Sequence, residues 1–208
     1  LIGRLLTALA LLSASAVASS PSSHERWARA ALDRLPVFGE DRDAAEAKSA
    51  QLNAIAAAIA YESKRQTIRP PREWAALLTS IGFHESTFSL RIHRGECNLL
   101  KRECDAAKKN GQLYARAKSP WQLHENKLNR DSWPFMTGIE NTDLQVLEAS
   151  AALQRGHWTC SRSGVPWLVG TINGFAGRMC SAKWPGLEAR LATFNRVLAT
   201  PTPAGAGS

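Results

Sequence analysis

The stretch that most restricts this chain is "EWAALLTSIGFHES", residues 73–86. Its apolar residues recur at helical spacing. Stepping back from Glu85 by four, seven and eleven positions meets Ile81, Leu78 and Trp74. On a helical wheel these residues fall within about 40° of one another. The pattern predicts a helix whose apolar stripe faces a core and ends in a carboxylate. An ionised carboxylate on such a face is costly unless it is paired or takes up a proton. Glu85 is therefore either a structural anion with a partner elsewhere in the chain, or a carboxylic acid held protonated for chemistry.

Other segments share the helical period. "HERWARAALDRL" (24–35) reads as a short helix and "DRDAAEAKSAQLNAIAAAIAYESKRQ" (41–66) as a longer, alanine-rich one with Leu52, Ile55 and Ile59 on its core face. Pro70-Pro71 then interrupts the chain before the Glu85 helix. From Ser89 to Ser119 the period gives way to charged residues, glycine and two cysteines, which we read as a loop insertion. Thr142 and Gln145 have the spacing of a capping box, opening a helix that runs to about Arg155. "PWLVGTINGF" is a short apolar segment expected to turn at Asn173-Gly174, and Leu187, Leu191, Phe194 and Leu198 mark a last helix. No segment alternates strongly as a strand and none repeats, so the expected class is mostly α. The tail "TPTPAGAGS" has nothing to bury and is expected to be disordered.

A chain of 208 residues suits one domain with a proper core. Residues 1–18 have the layout of a secretory signal peptide: Arg4, an apolar run from Leu5 to Leu12, then small residues suited to cleavage. That run is short for a membrane span, and no later stretch is long enough, so an exported protein without a transmembrane anchor is expected: periplasmic, envelope-bound or extracellular. Four cysteines, Cys97, Cys104, Cys160 and Cys180, fit an oxidising compartment. Three pairings are open to them. Cys97–Cys104 and Cys160–Cys180 are favoured because each pair brackets an irregular, Gly- or charge-rich segment. No CxxC occurs and His84, His93, His124 and His157 keep no metal spacing with the cysteines, so neither metal nor cofactor is expected. The net charge of +8 falls to +7 (8 − 1) once Arg4 leaves with the leader. Anionic cell-envelope polymers suit such a balance, whereas nothing resembles a nucleic-acid-binding signature.

Three short motifs bear on Glu85. "HES" puts it near a helix end, followed by Ser86; "AKSPWQLH" (117–124) is a tight turn bearing Gln122; "TINGF" (171–175) carries Asn173. In this order and rough spacing, residues 72–198 resemble the lytic transglycosylases of the lysozyme-like superfamily. The resemblance implies a lysozyme-like helical domain over 72–199 with a disulfide-containing loop insertion. An N-terminal helical segment (19–71) would precede it and a tail (200–208) would follow. It makes Glu85 the catalytic acid and Ser86 the serine after it. Ser119, Trp121 and Gln122 fall on the glycine, methionine and glutamine of a cleft-lining turn, and Asn173 on the asparagine of a supporting turn. Ile172 departs from the family, which usually has a tyrosine there that helps to orient the glutamate. Tyr61 and Tyr114 are the chain's only tyrosines.

The implied substrate is the peptidoglycan glycan strand, cut by a monomer at the β-1,4 bond between MurNAc and GlcNAc. One carboxyl would serve as acid and then as base, leaving 1,6-anhydro ends. Gly82 would leave room for a sugar beside Glu85, Trp121 would either stack on one or join the core as other tryptophans of the chain do, and His84 would be exposed. A hydrolase of the usual kind needs a second carboxylate, for which Glu96, Glu103 and Asp105 are candidates. A non-catalytic envelope-binding protein with a degenerate cleft, or a basic structural protein, are the alternatives from other classes.

Overall fold

The structure, a computed structural model, describes residues 20–99 and 104–204; the expected leader and Glu103 lie outside them. The chain is mostly helical. Helix α1 (Ser23–Asp33) starts where the Ser22 hydroxyl accepts a hydrogen bond from the Glu25 amide at 3.2 Å. A short 3₁₀ turn, Gly39–Arg42, leads into α2 (Ala45–Arg65). Pro71 occupies the first turn of α3 (Pro71–Ser86), where a missing amide hydrogen costs nothing. A single turn of helix, α4 (Leu90–Arg94), follows. After the irregular middle of the chain come α5 (Thr142–Cys160), α6 (Trp167–Phe175) and α7 (Pro185–Leu198).

Helix α3 is the axis of the molecule. Every residue from Trp74 to Gly82 is buried, and the helix packs against α7, α2 and α5. One apolar cluster joins Trp27 and Ile59 of the first two helices to Leu78, Leu153, Ile172 and Phe194. The N-terminal segment 19–71 thus shares its core with the rest of the chain. The tail is anchored at its first residue rather than disordered from it: Thr200 is buried, and its carbonyl accepts from Trp27 Nε1 at 2.9 Å and from Arg72. Residues 201–204 are exposed and without regular structure.

The irregular middle holds more structure than a loop insertion. Strands β1 (Ala106–Lys109) and β2 (Gln112–Ala115) pair antiparallel around Asn110-Gly111, both with positive φ (52° and 80°), the backbone that a two-residue hairpin turn requires. A second small ladder joins β3 (Ala117–Lys118) to β4 (Leu123–His124). The expected turn at Asn173-Gly174 does not occur, because both residues lie inside α6. Gly174 is needed for a different reason. A Cβ there would stand 2.5 Å from the Cα of Gly156, where α5 and α6 touch backbone to backbone. The capping box is absent too. Thr142 is already helical, its hydroxyl donates to the Ile139 carbonyl at 2.5 Å, and Gln145 donates to the Gly138 carbonyl at 2.8 Å. Helix α5 continues past Arg155 to Cys160, which is bonded to Cys180; the other disulfide is Cys97–Cys104. Among the described residues no helix is long and apolar enough to cross a membrane.

Candidate active site

Glu85 sits one residue before the end of α3, and the chain's exit from that helix fixes it. Thr87 and Phe88 both take left-handed backbone (φ 54° and 52°). Ser86 stabilises this sharp exit: its hydroxyl donates to the Gly82 carbonyl at 3.2 Å and accepts from the Phe88 amide at 3.1 Å. The turn folds Phe88 back over Gly82. A Cβ on Gly82 would lie 2.5 Å from the Phe88 ring and 2.9 Å from Trp121 Nε1. The space that Gly82 leaves is thus filled by two aromatic rings, not held open for a sugar. Trp121 is fully buried, donates to the Leu78 carbonyl at 2.8 Å and meets Phe88 edge to face, so it is core and does not present a sugar-stacking face. Behind the turn, buried Lys48 donates to the Phe88 carbonyl and to Asp41 (2.9 Å), while Asp41 accepts from the Leu90 amide. Burial lowers the Lys48 pKa, and the bond to Asp41 opposes that effect.

Trp121 seats the next piece. Ser119 and Gln122 carry positive φ (68° and 49°), and the buried Ser119 hydroxyl accepts from the Trp121 amide at 3.2 Å. The resulting turn delivers Gln122 to the cavity that Glu85 lines. The Gln122 amide is held there, donating to the Ser119 carbonyl and accepting from the Asp105 amide, each at 3.2 Å. Asp105 itself pairs with His124 at the exposed rim (3.2 Å).

Asn173 is buried behind the opposite wall rather than lining the cavity. Its amide donates to the carbonyls of Cys180 (2.9 Å) and Ala182 (3.0 Å), and its side-chain oxygen accepts from Trp184 Nε1 at 2.8 Å. One amide thus pins the loop between α6 and α7, which the Cys160–Cys180 bond also ties to the end of α5. Ile172 is wholly buried in the core, and Tyr61 and Tyr114 are exposed.

The partner of Glu85 is a cation. Arg190, on α7, donates from Nη2 to Glu85 Oε1 at 2.5 Å and from Nη1 to the Gly186 carbonyl at 3.0 Å. Its guanidinium carbon lies 5.0 Å from the centre of the Trp184 ring, and Arg178 stacks on the same ring at 4.3 Å. Of the two possibilities for Glu85, the structure shows the paired one. Glu85 keeps 23% of its side-chain surface exposed. His84 is also different from expectation. It is half-buried against α7, 2.8 Å from the Thr193 hydroxyl, and burial followed by the charge of Arg190 lowers its pKa.

Glu85 lies where two cavities meet. The one on its Trp184 side encloses about 570 Å³ and includes Gln122, His124, Glu148, Arg155, Arg178 and Arg190 in its lining. The other encloses about 520 Å³ between Phe38, Ser86, Thr87 and Arg91. Among the described residues Glu85 is the one that lines both. Ser86 therefore faces the second cavity while Gln122 faces the first, with Ser119, Trp121 and Asn173 behind the walls.

Sequence reasoning missed Arg190 and Glu148. The signal for Arg190 is legible in retrospect: Leu187, Arg190, Phe194 and Val197 recur at helical spacing, so an arginine stands in phase with one apolar stripe just as Glu85 does with another. Glu148 projects from α5, accepts from the Ser132 hydroxyl at 2.7 Å, and is the second carboxylate of the 570 Å³ cavity. Asp105 and Glu96 do not line either cavity. No cluster of three or more His, Cys, Asp or Glu among the described residues is arranged to hold a metal ion. No family model, curated protein or solved structure matches the chain.

Proposed function

We propose that the chain is an exported, lysozyme-like lytic transglycosylase that cuts peptidoglycan glycan strands between MurNAc and GlcNAc. The observation that carries this reading is the position of Glu85, partly buried and lining both cavities. A polymer laid through both, taken as the two arms of one groove, presents one internal bond to one carboxyl. The resemblance of the three motifs around Glu85 supplies the reaction class, and the two disulfides fit export.

In the proposed reaction Glu85 in its acid form gives its proton to the glycosidic oxygen as the bond from C1 breaks. The 6-hydroxyl oxygen of the same MurNAc attacks C1, and its proton returns to Glu85. The enzyme ends as it began, and the product carries a 1,6-anhydro ring. Gln122, held by its turn in the lining of the same cavity, would hydrogen-bond a sugar. Arg190 must leave Glu85 first, because its hydrogen bond occupies the carboxyl oxygen that would face the sugar.

Glu148 favours a second reading, hydrolysis with two carboxyl groups, and displaces the insertion residues Asp105 and Glu96 as the partner in it. Mass spectrometry of fragments released from purified peptidoglycan separates the two. Fragments lighter by one water, absent with Glu85→Gln, are expected. Full-mass fragments that vanish with Glu148→Gln would establish the hydrolase instead. Intact peptidoglycan after treatment with the folded protein would remove both and leave binding.

A further inference from the structure

On the Trp184 side of Glu85 the groove holds more cationic donors than its own carboxylates satisfy. Arg155, Arg178 and Arg190 line that cavity together with two carboxylates, Glu85 and Glu148, a surplus of one positive charge (3 − 2). Glu148 is engaged by Ser132. Arg155 has no side-chain hydrogen bond or ion pair among the described residues. Arg178 is exposed and rests on the Trp184 ring. Arg190 has a buried Nε with no acceptor, although its Nη atoms are bonded.

We infer that this half of the groove is a carboxylate-recognition subsite: Arg190 exchanges Glu85 for a carboxylate of the bound polymer, beside Arg178, and the exchange frees Glu85 to act. The inference rests on the glycan reading above and adds the group that is recognised. Guanidinium groups are the donors best matched to a carboxylate, which they bind through two parallel hydrogen bonds. Trp184 makes the exchange cheap in geometry. Its ring, held by Asn173, is a flat platform over which the Arg190 guanidinium can shift while it stays stacked. Peptidoglycan has the required chemistry, because its peptide stems, and its lactyl groups wherever the stem has been removed, carry carboxyl groups that chitin-like neutral glycans lack. The groove would then arm its acid only when an acidic polymer fills it.

The test uses one oligosaccharide in two states: MurNAc–GlcNAc chains stripped of peptides, with free lactyl carboxylates, and the same chains with those carboxylates converted to methylamides. Binding is measured calorimetrically to the Glu85→Gln protein, and cleavage is measured with wild type. The carboxylate form is expected to bind on the order of tenfold or more tighter, the scale of losing one partner of a hydrogen-bonded charge pair. Adding Arg190→Gln should remove most of that preference, and Arg178→Gln, at an exposed position, should reduce it even if the first variant folds poorly. Equal binding of the two forms overturns the subsite, and wild-type cleavage of both would then leave the transglycosylase reading standing. Charge-dependent binding without cleavage keeps the subsite and removes the enzyme reading. No binding of either form removes both.

Discussion

The two walls that meet at Glu85 are held by different forces. On the α6–α7 side the loop behind the wall is held by neutral links: one buried amide (Asn173), the indole it bonds (Trp184) and the Cys160–Cys180 bond. On the α2–α4 side the wall is built on buried ionisable groups. The Lys48–Asp41 pair props the chain where it leaves α3, and His93 lies fully buried nearby. The imidazole's partners make it neutral. The Thr142 hydroxyl already donates to Ile139, so at 3.2 Å it accepts from Nε2 of His93, while Nδ1 accepts from the Gln51 amide at 3.0 Å. Burial first, then the charge of Lys48, lowers the His93 pKa to about 4. Reductant should therefore loosen the α6–α7 wall, while the larger response to acid should come from the α2–α4 wall, where His93 is fully buried; His84 and His157, which touch α7 and α6, add a smaller share.

The largest expected effect comes from breaking the charged wall. Lys48→Met leaves Asp41 buried without its cation and should lower stability by about 3–5 kcal/mol in thermal or urea unfolding. The double variant Lys48→Met/Asp41→Asn should recover much of that loss, and a double variant no better than the single would show that the pair is not what holds this wall. On the other side, replacing Cys160 and Cys180 by serine should cost roughly 3.3 kcal/mol by loop entropy, against roughly 2.5 for Cys97 and Cys104, with no change in the pH profile.

Acid sharpens the contrast. The folded His93 pKa of about 4 lies below its ordinary value of 6.5, so the unfolded chain binds the proton first. Its contribution is whole above pH 6.5 and shrinks as pH falls towards 4, by a total on the order of 3 kcal/mol. Burial lowers His24, His84 and His157 as well, which adds loss in the same direction. Urea unfolding at several pH values should show this slope, and His93→Gln should flatten it. The smallest effect should be Asn173→Ala, about 1–3 kcal/mol for the hydrogen bonds it removes. It should speed proteolysis of the 176–184 loop while leaving the acid slope as it was.

What was legible in the sequence follows the range of the forces involved. Helix α3 and the buried stripe leading to Glu85 were readable because the period is local and strong. The disulfide pairs were readable as brackets around irregular segments. The two Asn-Gly dipeptides show where locality misleads. An apolar neighbourhood makes Asn173-Gly174 read as a turn although its glycine serves a helix crossing, while Asn110-Gly111, the true hairpin turn, lies between short polar strands that give no alternating signal. The sequence alone does not decide between substrate and core for Gly82 and Trp121, because their packing partner, Phe88, reaches them only through an unusual left-handed exit from α3. The Arg190–Glu85 pair spans 105 positions of sequence and joins two helix faces, so each residue was visible only as an anomaly on its own stripe.

The contact of Gly156 with Gly174 has a consequence for how such a groove can change over time. Both residues line the cavity beside Glu85, so its floor there is peptide backbone. Backbone chemistry is the same whatever the codon, and any side chain added at either position would force the two helices apart. This part of the groove is therefore closed to variation by single substitution. New preferences for substrate must be acquired through the loops and arginines above it, while the floor is inherited unchanged.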